Sequence, residues 1–97
     1  MVEVSNITKS TATISWQPPA NDGGAPVTGY HVERYTSLSD RWVRQTREPL
    51  PETTYEADNL MEGTDYRYRV VAINKRGESK PSDESDSFVA KNPYGKG

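Results

Sequence analysis

Residues 60–74 read Leu-Met-Glu-Gly-Thr-Asp-Tyr-Arg-Tyr-Arg-Val-Val-Ala-Ile-Asn, and this stretch decides the fold. Tyr66, Tyr68, Val70 and Ala72 recur at every second position, with Arg67 and Arg69 between them. That is the period of a β-strand, whose side chains point to alternate faces. The spacing predicts a long central strand with its tyrosine face in a core. Val71 and Ile73 add apolar residues to the opposite face, so neighbours are expected to cover part of it. Leu60 and Tyr66 bracket Gly63 in the manner of a tyrosine corner. In that device a buried tyrosine near the start of a strand bonds its hydroxyl back to the upstream backbone.

Further strands lie on either side. Val2, Val4 and Ile7 predict a short first strand, followed by a turn at Lys9-Ser10. Residues 11–17 alternate cleanly, with Ala12, Ile14 and Trp16 on one face and Thr11, Thr13 and Ser15 on the other. Pro18-Pro19 ends that strand, because proline donates nothing to a ladder. Asn21-Asp22-Gly23-Gly24-Ala25-Pro26 is a run of turn formers. A third strand follows, with Tyr30 and Val32 inward and His31 and Glu33 facing solvent. Residues 42–46 read as a weaker edge strand, guarded against strand addition by Arg41, Arg44 and Arg47. Glu48-Pro49-Leu50-Pro51 breaks it, and residues 53–57 form a short strand with Tyr55 and Ala57 inward. After the central strand, residues 75–81 are an exposed loop and residues 82–89 the last strand, polar at its start. Short strands separated by turn signals, with no useful helical period, predict a sandwich of two antiparallel sheets and seven strands. Its expected core is Trp16, Tyr30, Val32, Leu60, Tyr66, Tyr68 and Val70.

The chain has 97 residues, enough for one core. We expect one domain over residues 1–90 and a C-terminal linker over residues 91–97. Only 32% of residues are hydrophobic, so a few aromatic anchors have to carry the interior. A net charge of −2 gives no basic excess for nucleic acid. No apolar run is long enough for a membrane-spanning helix, and no basic stretch and apolar run after Met1 predicts a signal peptide. The absence of cysteine removes disulfides, thiolate nucleophiles and cysteine-based zinc sites.

Several landmarks fall in one order: Trp16 then Pro18-Pro19, Asp22-Gly23-Gly24, Gly29-Tyr30-His31-Val32-Glu33, Trp42, and Leu60, Gly63 and Tyr66. Val70, Ala72, Asn74, the Gly77 loop and Pro81-Ser82 complete the set. Together they resemble a fibronectin type III domain, an immunoglobulin-like sandwich, across almost the whole chain. The ending Val89-Ala90-Lys91-Asn92-Pro93-Tyr94 looks like modules of the giant muscle proteins titin and twitchin. The resemblance implies a non-catalytic, cytoplasmic module of the sarcomere and myofibril, in a tandem array, with no cofactor and no metal. It implies neighbouring immunoglobulin-like or fibronectin type III modules of the same chain as partners. It also implies two roles: a load-bearing spacer, and a docking site for myosin or thick-filament-associated proteins. The competing reading is an extracellular adhesion or receptor module.

Five residues stand out as a candidate protein-binding face: Trp42, Arg44, Arg67, Arg69 and Glu33. In the expected sandwich they share the outer face of one sheet. Tryptophan and arginine dominate interface hot spots, yet the same residues also make an ordinary cross-strand ladder. His31 has no recognisable nucleophile or orienting partner for catalysis. Arg76-Gly77-Glu78 has glutamate where an integrin-binding loop carries aspartate, so a plain turn is expected. Asp83-Glu84-Ser85-Asp86 reads as a solvated edge rather than a calcium site, because contiguous carboxylates on a strand diverge. Asn6-Ile7-Thr8 is a glycosylation acceptor that matters only to a secreted protein.

Overall fold

The computed structural model describes residues 2–19 and 24–93. The Asn21-Asp22-Gly23 part of the expected loop and the Tyr94 to Gly97 part of the expected linker lie outside the described residues. Two sheets stack face to face. The first holds β1 (Val2–Ser5), β2 (Ala12–Trp16) and β5 (Thr54–Ala57), in the order β1-β2-β5. The second holds β4 (Arg41–Arg44), β3 (Gly29–Thr36), β6 (Asp65–Asn74) and β7 (Gly77–Glu78), with β8 (Phe88–Val89) also on β6. Every pairing is antiparallel.

β6 is central because it carries the longest ladder. Eight of its residues pair with β3, from Tyr66↔Thr36 to Ile73↔Gly29. Its tyrosine face points inward, where Tyr66, Tyr68 and Val70 pack with Ile14, Trp16, Tyr30, Val32, Leu60 and Ala90. Trp16 meets Tyr30 edge to face at 5.5 Å, and Tyr68 stacks on Phe88 at 6.1 Å. Burial pushes the Tyr68 phenol up to about 12, with the Arg34 guanidinium opposing the rise. The corner forms where residues 60–66 place it: the Met61 N–H donates to the Tyr66 hydroxyl at 2.7 Å. Gly63, at φ 87°, closes the turn in which the Thr64 N–H donates to the Met61 carbonyl. That backbone angle strains any residue with a Cβ.

Three features depart from the sequence reading. His31 does not face solvent: it is buried with Val71, its neighbour in the ladder. The chain beyond β4 explains this. Gln45 still donates to the Val32 carbonyl, and Thr46 Oγ1 sits 2.7 Å from His31 Nδ1 while accepting the Val32 N–H at 3.2 Å. The Pro49-Leu50 stretch then returns to bond Tyr30. Gly29 permits that return, because a Cβ there would stand 2.7 Å from the Pro49 Cβ.

The second departure is the last strand. Residues 82–89 are not one ladder; only Phe88–Val89 pairs as β8, and Gly77–Glu78 pairs as β7. Between them a serine comb holds the edge. The N–H groups of Ser79, Ser82 and Ser85 donate to the carbonyls of Ala72, Val70 and Tyr68. The N–H groups of those same three residues donate back to the serine hydroxyls at 2.9, 3.0 and 3.0 Å. Three residues of the edge thus oppose two of β6, an extra residue at each step, as in a repeated bulge. The third departure is β7: Gly77–Glu78 pairs with the end of β6 inside the stretch expected as an exposed loop, while the expected sandwich of two antiparallel sheets stands.

Candidate interaction face

The outer face of the second sheet is set by register. Trp42 lies opposite Tyr35, and Arg44 opposite Glu33, across β3 and β4. Arg67 lies opposite Tyr35, and Arg69 opposite Glu33, across β3 and β6. Directly opposed residues share a face, so all five residues singled out in the sequence converge there.

The contacts are specific. Arg69 Nε donates to Glu33 Oε1 at 2.7 Å, and its guanidinium lies 4.3 Å from the centre of the Trp42 ring. Glu33 also forms a longer ion pair with Arg44, at 3.8 Å. Arg44 reaches across the sheet to grip Glu78 with both terminal nitrogens, at 3.0 and 2.9 Å. Arg67 pairs with Glu84 at 2.6 Å and lies 5.9 Å from the Tyr35 ring, which tilts against Trp42 at 5.6 Å. Each of these three arginines therefore has both a carboxylate partner and a place in one connected layer. Arg44 holds the Glu78 carboxyl below its usual range through their hydrogen bonds, and Glu78 raises Arg44 in return.

Sequence reasoning missed Glu78, Glu84 and Tyr35 as members of this layer. Glu78 was grouped with the Arg76-Gly77 turn and Glu84 with the acidic run. Their partners lie 34 and 17 residues away in sequence, which no local pattern reports. Tyr35 carried the right period but stood outside any charged pattern. The Glu78 carboxylate is committed to Arg44, so Arg76-Gly77-Glu78 does not present a free acid. Among the described residues no group of three or more histidine, cysteine, aspartate or glutamate side chains is arranged to hold a metal ion. Asn6 is exposed and donates to Thr13 Oγ1 at 3.3 Å.

Comparison with known proteins places the chain in a family. The fibronectin type III domain model matches residues 1–88. Cardiac-type myosin-binding protein C of Gallus gallus is 45% identical over 87 residues, covering 90% of this chain. The chain spans 7% of that protein's length. The crystal structure of domains A168–A170 of titin superposes with a TM-score of 0.87 at 38% identity, over 95% of this chain and 31% of that one. Titin module A71 from human cardiac muscle gives a TM-score of 0.83 at 32% identity, over 93% of this chain and 88% of that one. Fold, sequence and ladder thus agree: the chain belongs to the fibronectin type III family, and its similarity runs to the modules of muscle giant proteins.

Proposed function

We propose that this module is a load-bearing spacer in a tandem array of the sarcomere. One observation carries the reading: the chain enters and leaves at opposite poles. β1 starts at Val2, beside Trp16 at the end of β2. β8 ends at Val89, beside Asp65 at the start of β6. Tension between those points runs along the strands and across their hydrogen bonds. It loads the β1–β2 ladder and the serine-bonded edge in shear, so many bonds must yield together. Resistance to such load is set by the unfolding rate.

In this reading Trp42, Arg44, Arg67, Arg69 and Glu33 brace the sheet. Docking of myosin or another thick-filament protein on that face would have to open pairs that already satisfy one another. The muscle relatives support the sarcomeric address. Immunofluorescence on striated muscle with an antibody raised against the module tests it. Regular stripes seen only after permeabilisation are expected. Staining of intact cell surfaces would overturn the address and favour an adhesion module instead.

A further inference from the structure

Arg34 points into the sandwich. The alternation that turns Glu33 and Tyr35 outward turns Arg34 inward, between the buried Val32 and Thr36. Across the ladders it lies opposite Val43 on β4 and Tyr68 on β6, and opposed residues share a face. β1 packs toward β6, so β5 lies on the β4 side of the sandwich. Arg34 therefore sits in the seam between the edge strands β4 and β5, half-buried.

Its surroundings are aromatic and neutral. The guanidinium lies 5.3 Å from the centre of the Tyr66 ring and bonds the hydroxyl of Tyr68, a side chain only 1% exposed. Its charge also reaches Tyr55 on β5. Burial pushes both the Tyr55 and the Tyr68 phenols up, so both stay protonated at neutral pH and neither is a counter-ion. Among the described residues the ion pairs belong to Arg44, Arg67 and Arg69, and Arg34 has none. An inward arginine is ordinarily paired, because withdrawing its charge from water is costly. A ring face and one phenol leave most of its fork of N–H donors unmet.

We propose that the seam at Arg34 is a carboxylate-binding site, taking a glutamate or aspartate side chain from an acidic segment of another protein. The Arg34 fork grips the carboxylate, the Tyr55 and Tyr68 hydroxyls stand beside it, and Val43 is the apolar shelf for the neighbouring residue. A guanidinium matches a carboxylate with two parallel hydrogen bonds, and the aromatic walls strengthen them by keeping water out. Asp58, whose charge acts on Tyr55, opposes a doubly charged phosphate more than a singly charged carboxylate. Val43 is 42% exposed beside Arg34 in the ladder, where it offers apolar contact to a bound segment. The site lies inside the seam and not on the outer face braced by Trp42 and Arg69, and it stands whether or not the module bears load.

The test follows the Arg34 Nε–Hε signal and the Val43 and Tyr55 amides by NMR. The 97-residue chain is titrated with the peptide acetyl-Val-Glu-Val-amide, with its glutamine counterpart, and with inorganic phosphate. The glutamate peptide is expected to move these signals together to saturation, and the glutamine peptide to leave them in place. Arg34→Lys keeps the charge and loses the fork, and is expected to weaken binding by about tenfold or more, the worth of a charge-assisted hydrogen bond. Tyr55→Phe keeps the ring and removes one hydroxyl, and is expected to weaken binding by a smaller factor with the amide spectrum of the folded parent. Equal shifts with the two peptides, shifts centred on the exposed Arg41 and Arg47, or unchanged affinity in both variants would overturn the proposal. Phosphate saturating the same signals at lower concentration would overturn it as well, by assigning the seam to phosphate.

Discussion

Ser85 and Tyr68 exchange two hydrogen bonds without being a ladder pair: the Ser85 N–H donates to the Tyr68 carbonyl at 2.7 Å, and the Tyr68 N–H donates to Ser85 Oγ at 3.0 Å. The Ser85 hydroxyl then donates to the Asp86 carbonyl at 3.0 Å. Ser82 with Val70 and Ser79 with Ala72 repeat the arrangement. Lys80, Pro81, Asp83 and Glu84 stand exposed between the serines, and Asp86 stands exposed just past Ser85. Charges, a proline and bulges are the devices that close a sheet edge to a foreign strand, so the comb both satisfies β6 and blunts it.

Removing a serine hydroxyl orphans the N–H of a central strand residue. Ser82→Ala and Ser85→Ala are each expected to lower stability by about 1–3 kcal/mol, the usual cost of leaving a buried donor unmade. Ser85→Ala should lie at the upper end, because Ser85 is buried and Ser82 only partly so. Urea unfolding measures both, and a pair of unchanged midpoints would contradict the role given to the comb.

Trp16 and Tyr66 hold the interior from opposite sheets. Trp16→Ala is expected to cost about 3–5 kcal/mol through lost burial and the cavity left behind. Tyr66→Phe keeps the ring but strips the acceptor from the Met61 N–H, for about 1–3 kcal/mol. Equilibrium denaturation should show the tryptophan change as the larger, with the reverse order contradicting the core described here.

Arg44 and Glu78 make stability respond to acid. The folded Glu78 carboxyl titrates below its unfolded value because Arg44 bonds the charged form. Its stabilisation is present above the unfolded value, near pH ~4.3, and is lost as pH falls through the lower folded value. Thermal unfolding from pH 7 down to pH 3 should therefore show a smaller drop for Glu78→Gln than for the parent. Equal drops would remove the pair from the account.

Trp42 and Arg69 are expected to couple across the outer face by about 0.5–1 kcal/mol, the size of an exposed cation–π contact. A double-mutant cycle with alanine at each position reads this directly. If thick-filament binding, rather than stability, changes in these variants, the face is a docking surface and not a brace.

The sequence made much of this legible and some of it not. The period of two in residues 66–72 and 12–16 placed the inner faces, because one-sided burial writes itself as alternation. The five-residue outer cluster was legible for the same reason, since register carries alternation across strands. His31 was misjudged because its cover comes from Thr46, the last residue of the expected edge strand, which lies past the observed end of β4 and turns back onto β3. The serine comb was hidden because its repeat of three fits neither a strand nor a helix. It exists only against the period of two in β6. Glu78 and Glu84 escaped because their arginines sit on strands that are not their sequence neighbours.

Load-bearing is the central claim, and pulling a single module by its two ends between reference handles tests it most directly. The account predicts one cooperative force peak with a gain in length of roughly 270 Å, because some ninety residues at about 3.5 Å each span roughly 315 Å when extended, against a longest folded dimension of 48 Å. It also predicts a lower peak when Ser82 and Ser85 are both alanine. Extension without any resolvable peak would contradict it.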